Sequence, residues 1–133
     1  MKVLALLIFA LAVLFGGCTK EDTTSEDHLS PHFVFKTDSG YTAVDDTVAV
    51  SDTLQTGVIV DKTDDALITF ELLVAYDGSL AQTRKDSVHI GVDHFSHDEQ
   101  LIMRNTAGKE KWTYKVYLGD GNTVTRSLTF VVQ

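Results

Sequence analysis

The chain has 133 residues, with 11 Lys and Arg against 19 Asp and Glu, a formal net charge of −8, and one cysteine. An acidic chain without clustered Lys and Arg excludes a nucleic-acid binder and does not settle flat on an anionic leaflet. A single cysteine excludes an internal disulfide framework, so stability has to come from a packed core.

The first element is Met1-Lys2 followed by an unbroken apolar run from Val3 to Phe15, then Gly16, Gly17 and Cys18. A basic start, a short apolar core and small residues make a secretory signal peptide, and the run is short of the roughly 20 residues a transmembrane helix needs. Leu14-Phe15-Gly16-Gly17-Cys18 resembles the bacterial lipobox, with Phe15 departing from the usual aliphatic residue. The resemblance implies cleavage between Gly17 and Cys18 and acylation of Cys18, by palmitate or similar chains. Several acyl chains on one residue anchor firmly where one anchors marginally. Thr19-Lys20-Glu21-Asp22 resembles the export signal of surface lipoproteins in the Bacteroidota, carried by Lys20, Glu21 and Asp22. It implies an outer-membrane location, with the domain on the cell surface or else facing the periplasm. A solvated linker explains the same four residues.

Residues 18–31 then read as the lipidated cysteine and a flexible polar tether, because a Thr, Ser, Asp and Glu-rich stretch buries too little apolar surface to order itself. Residues 32–133 read as one domain, with residues 1–17 as the signal peptide.

Within the domain, short alternating runs lie between turn signals, and no sustained 3.6-residue period appears. Strands are expected at 32–36, 46–51 with Val48 and Val50 on one face, and 56–61 with Val58 and Val60 on one face. The run 66–78 places Ile68, Phe70, Leu72, Val74 and Tyr76 on one face and closes on Asp77-Gly78. Shorter strands are expected at 86–92 and 99–104. At 111–120, Trp112, Tyr114, Val116 and Leu118 point inward; a tight turn at Gly119-Asp120-Gly121-Asn122 follows. The last strand carries Val124, Leu128, Phe130 and Val132 on one face, interrupted by Arg126.

Seven or eight strands at this spacing predict an all-β, antiparallel β-sandwich. The runs 41–78 and 111–132 resemble the immunoglobulin-like domains of small Bacteroidota lipoproteins. Tyr114, two residues before Val116, has the spacing of the tyrosine corner of that fold, with an ordinary core aromatic as the alternative.

No serine elbow, Cys-x-x-Cys, His-Glu-x-x-His or phosphate loop is present, and no cofactor is implied. The one polar cluster with ligand chemistry is 93–99, read as an inter-strand loop. There His94 and His97, with Asp98 and flanking Asp93 and Glu99, offer imidazoles and carboxylates suited to zinc or another transition metal. The acids at 45–46 and 61–65 lack EF-hand spacing. Tyr41, Phe95 and Tyr117 are candidates for stacking on sugars. The leading expectation is therefore a non-catalytic lipoprotein, held at the membrane by its lipid anchor, presenting an immunoglobulin-like domain to a protein or polysaccharide ligand. The alternatives are an inhibitor of a periplasmic or host hydrolase and a metal-dependent site at His94 and His97.

Overall fold

The computed structural model describes residues 29–133, with eight strands and no helix among them. The signal peptide, Gly17, Cys18, the Lys20-Glu21-Asp22 stretch and most of the tether lie outside the described residues. The last three tether residues are docked. The Leu29 N–H donates to Asp64 Oδ2 at 2.8 Å, Thr63 Oγ1 donates to the Leu29 carbonyl, and Pro31 is buried.

The strands are β1 (His32–Phe35), β2 (Asp46–Val48), β3 (Thr53–Asp61), β4 (Leu67–Tyr76), β5 (Thr83–His89), β6 (His94–Ile102), β7 (Gly108–Leu118) and β8 (Thr123–Val132). They form a three-stranded sheet, β1-β3-β6, packed on a five-stranded sheet, β2-β8-β7-β4-β5. The expected sandwich is present. Its order, β8-β7-β4-β5 facing β1-β3-β6, follows the immunoglobulin arrangement. One pair departs from the antiparallel expectation: β2 runs parallel to β8, in register Asp46↔Phe130 to Val48↔Val132. A parallel pair needs a long crossover between its strands. No local helix supplies one, but here almost the entire domain intervenes between the paired strands.

Alternation sets the core. Trp112, Tyr114, Val116 and Leu118 of β7 are all buried, as are Leu128, Phe130 and Val132 of β8. They meet Val58 and Val60 of β3 and Leu101 of β6. Strand β4 obeys the pattern from Phe70 through Leu72 to Val74, but Ile68 is exposed and Leu67 is buried in its place. The β4–β7 register shifts between Leu67 and Thr69, so Ile68 is an extra residue and the face inverts there. Val50 is exposed because β2 stops at Val48 and the chain turns through Ser51 at φ 60°.

The turn after β4 has Asp77 at φ 54° and Gly78 at φ 76°, and the Ser79 N–H donates to the Tyr76 carbonyl at 2.9 Å. Two successive left-handed residues make the I′ turn that matches strand twist. Gly57 on β3 serves close packing instead. A Cβ there would stand 2.6 Å from Asp98 Oδ1 and 2.7 Å from Lys36 Cδ.

Tyr114 does not make a tyrosine corner. Its hydroxyl crosses the sandwich and donates to Thr56 Oγ1 of β3 at 2.7 Å. Thr56 Oγ1 donates in turn to the Glu99 carbonyl of β6 at 3.3 Å. Burial pushes the Tyr114 hydroxyl up to about 12, so it remains a neutral donor.

Candidate metal centre

Strands β5 and β6 are the outermost strands of their sheets and face one another along one open side of the sandwich. Of residues 93–99, expected as a loop, 94–99 form most of β6, paired to β3 from Asp61↔His94 to Thr53↔Ile102. Strand geometry then separates the two histidines. Residues three apart point to opposite faces. Phe95, His97, Glu99 and Leu101 turn toward the five-stranded sheet, while His94, Ser96, Asp98 and Gln100 are exposed on the outside.

The inward series meets Asp86 of β5. The His97 Nε2 atom is 3.3 Å from Asp86 Oδ2 and 3.3 Å from Glu99 Oε2. Each of the three residues offers a ligand atom within 4.8 Å of the other two. The side chains are sheltered but reachable, with relative exposures of 18% for His97, 37% for Asp86 and 30% for Glu99. Asp86 is aimed by a bulge. The β4–β5 register runs Leu72↔Asp86 and then Leu73↔Arg84, which leaves Lys85 as the extra residue beside it. Bulges of this kind redirect side chains at sheet edges. The Ser87 N–H holds Asp86 Oδ1 at 2.8 Å, which leaves Oδ2 toward the imidazole.

The ring of His97 is fixed by aromatic packing. Its centroid lies 4.8 Å from that of Phe70, and it stacks on Phe95 at 5.9 Å with 12° between planes. The backbone of Glu99 is fixed by the Tyr114–Thr56 relay. An open depression of about 240 Å³ adjoins Glu99, with Leu72, Lys85 and Trp112 in its lining. A larger hollow of about 510 Å³ lies along β1 and β8, but its lining holds no imidazole or carboxylate.

Chemically, two carboxylates and one imidazole form a hard, oxygen-rich donor set. Carboxylate and imidazole ligands together suit divalent first-row ions, and three protein ligands leave coordination positions for water or substrate. The chain's only thiol belongs to Cys18, so the described residues offer no thiolate. Two carboxylates around one ring nitrogen repel each other unless a proton or cation lies between them.

The expected trio of His94, His97 and Asp98 is therefore regrouped. His97 stays, joined by Glu99, while His94 pairs with Asp61 at 2.5 Å and Asp98 with Lys36 at 2.5 Å. The Lys36 hydrogen bond, with one from Tyr41, holds the Asp98 carboxyl below its usual range. Nothing local in the sequence points to Asp86, because its place depends on β5 and β6 lying as facing edges of separate sheets. The signal for Glu99 was present: His97 and Glu99 occupy the same alternating series as Phe95 and Leu101.

The aromatic residues form no shared platform. Phe95 packs inward on Phe70 at 5.5 Å. The Tyr117 hydroxyl donates to Glu71 at 2.8 Å, and Tyr41 lies under Lys36 at 5.5 Å.

No family model matches the chain, and no curated protein matches it in sequence. Solved structures do match in fold. The superoxide reductase (neelaredoxin) of Ignicoccus hospitalis superposes with a TM-score of 0.55 at 12% identity, over 79% of this chain and 81% of that one. One point variant of that reductase gives 0.55 at 14% identity, over 77% and 82%. Another gives 0.51 at 14% identity, over 65% and 73%. At this identity the likeness is one of fold. It nevertheless corrects the leading expectation of a non-catalytic binding module. The sandwich is shared with an enzyme, and the described residues bring three metal-ligating side chains together at its open side. Among the described residues, the side chains gathered with metal-ligand spacing are Asp86, His97 and Glu99, and not the expected pair His94 and His97.

Proposed function

We propose that this protein binds a divalent first-row transition metal through Asp86, His97 and Glu99 and uses it in enzymatic chemistry on a small ligand. The observation that carries this reading is the convergence of three ligand atoms within 4.8 Å from the edges of two different sheets. A closed structural site would fill all four tetrahedral positions from protein; three ligands at a half-sheltered edge leave room for substrate. When bound, the ion would supply Lewis acidity or an electron-transfer centre. The chain's own part is to hold the ligands. Phe70 and Phe95 orient the imidazole, the bulge at Lys85 aims Asp86, and the Tyr114–Thr56 relay fixes the strand that carries Glu99. The fold shared with superoxide reductase favours redox chemistry over hydrolysis as the reaction class to assay first.

The test is calorimetric titration of the chelator-stripped protein with Mn(II) and, under anaerobic conditions, Fe(II), the ions that suit a carboxylate-rich donor set. We expect binding in the micromolar range or tighter, lost at least tenfold in His97→Ala and in Asp86→Asn. Equal binding by wild type and His97→Ala would overturn the assignment.

The same reading keeps Cys18 as the lipid anchor, on the strength of the lipobox-like sequence, and the outer membrane as the site of action, on the strength of Lys20-Glu21-Asp22. Labelled fatty acid should enter the wild type and not Cys18→Ala.

A further inference from the structure

A second group of metal-ligating side chains stands on the opposite face of β6. His32 of β1, Asp61 of β3 and His94 of β6 are direct cross-strand neighbours, in register His32↔Asp61 and Asp61↔His94. They form one transverse row across the whole three-stranded sheet. Asp61 lies in the middle and meets both rings. The His94 Nδ1 atom is 2.5 Å from Asp61 Oδ1, and the His32 Nδ1 atom is 3.5 Å from Asp61 Oδ2. The hydrogen bond from His94 holds the Asp61 carboxyl below its usual range, with a further contribution from His32.

From this row we propose a second transition-metal site, with His32, Asp61 and His94 as ligands, distinct from the Asp86–His97–Glu99 centre. The ligand chemistry differs from that of the first site. Two imidazoles and one carboxylate favour Zn(II), Ni(II) or Cu(II) over harder ions. Adjacent cross-strand Cβ atoms are about 5 Å apart, so the two histidines straddle the carboxylate at about 10 Å and approach one ion from either side. Each ring now rests on its own carboxylate oxygen through Nδ1, so a shared ion requires both rings to rotate and present Nε2 above Asp61. The exposure of the row permits that rotation: His32 is 64% exposed, His94 66% and Asp61 45%. The neighbouring cation does not compete for Asp61, because Lys62 Nζ is turned to Asp93 at 3.4 Å. An ion here would tie the N-terminal strand, next to the tether, to both other strands of its sheet.

The inference does not rest on the first site, and the experiment separates them. Zn(II) is titrated calorimetrically into the full-length His97→Ala protein, which lacks a ligand of the first centre. We expect one equivalent bound, with affinity falling at least tenfold on adding His94→Gln or Asp61→Asn. His32→Gln should weaken binding in the same direction, and a Zn(II)-dependent rise in the unfolding temperature of His97→Ala should disappear in the His97→Ala/His94→Gln protein. These residues are exposed, so circular dichroism should confirm an unchanged fold in each variant. No Zn(II) binding to His97→Ala, or binding indifferent to His94→Gln, would overturn the second site while leaving the first intact.

Discussion

Two carboxylate clusters in this molecule are built in opposite ways. Around Arg104, every acid faces donors. Asp77 receives the guanidinium through Nη1 at 2.7 Å and Nη2 at 2.6 Å, and the Lys109 N–H at 2.9 Å. Glu110, only 1% exposed, receives the Arg104 N–H at 2.7 Å and Trp112 Nε1–H at 2.9 Å. At the open side of the sandwich, Asp86 and Glu99 instead converge on a single imidazole nitrogen. In the first cluster each acid has its donors, although Arg104 Nε is buried without an acceptor, and the bonds tie the 103–107 connection to the turn after β4 and to β7. The second has more acceptors than donors, the condition in which a cation is attracted. Acid content alone therefore does not mark a site. The supply of donors around the acids does.

The largest effect expected is at the floor shared by the core and the second cluster. Phe70 is fully buried and packs on His97. Phe70→Ala should lower stability by about 3–5 kcal/mol in urea unfolding, through lost burial and the cavity left behind. It should also weaken metal binding, because the imidazole loses its support. Unchanged metal affinity in a folded Phe70→Ala protein would show that His97 is positioned by its polar partners alone.

A smaller loss tests the donor-rich cluster. Trp112→Phe keeps an aromatic ring but removes the Nε1 donor to Glu110. A buried carboxylate oxygen without its donor costs about 1–3 kcal/mol. Metal affinity at the other cluster should not change. If Trp112→Phe is neutral in stability, the indole hydrogen bond is replaced by water and the cluster is less closed than described.

The sequence displays single members of both clusters and the grouping of neither. Strand alternation placed Trp112, Tyr114, Val116 and Leu118 correctly, since period-two patterning is a local property. It also contained Glu99, in the inward series Phe95, His97, Glu99, Leu101, but the polar surroundings at 93–99 disguised a strand as a loop. Asp86 was out of reach for a different reason. Its approach to His97 depends on β5 and β6 being facing edges of separate sheets, and on a one-residue bulge at Lys85. Bulges have no strong local signature here, and the one at Ile68 misplaced a face for the same reason. The parallel β2–β8 pair likewise joins distant segments, which local pattern cannot register.

The donor-poor cluster should respond to charge removal with the opposite sign. Asp86→Asn removes one of two facing carboxylates and supplies an amide donor to Glu99. Without metal, the variant should match or exceed wild-type stability by up to about 1 kcal/mol, the scale of partly exposed charge pairs. With metal present the order should reverse, because only the wild type gains from binding. A metal-free Asp86→Asn protein that is clearly less stable than wild type would mean that Asp86 serves the fold in the way Asp77 does.

The last contrast is in acid. Hydrogen bonds from Arg104 and then from the Lys109 backbone hold Asp77 at about 2, down from 3.8. A carboxyl whose folded value is depressed contributes stability that is complete above its unfolded value and is lost as the pH falls through the folded one. The Asp77 contribution is therefore full above about pH 4 and fades between 3.8 and about 2. Asp77 is solvent-accessible, so screening makes this the smallest of the four effects. Acid unfolding of metal-free protein, followed by near-ultraviolet circular dichroism, should be shallower below pH 4 in Asp77→Asn than in wild type. Stability curves that differ by a constant across that window would show that Asp77 acts through the hydrogen bonds it accepts from Arg104 and Lys109, and not through its charge. Its backbone sits at φ 54° beside Gly78. An asparagine tolerates that left-handed backbone as well as aspartate does, so the substitution isolates the charge and leaves the turn in place.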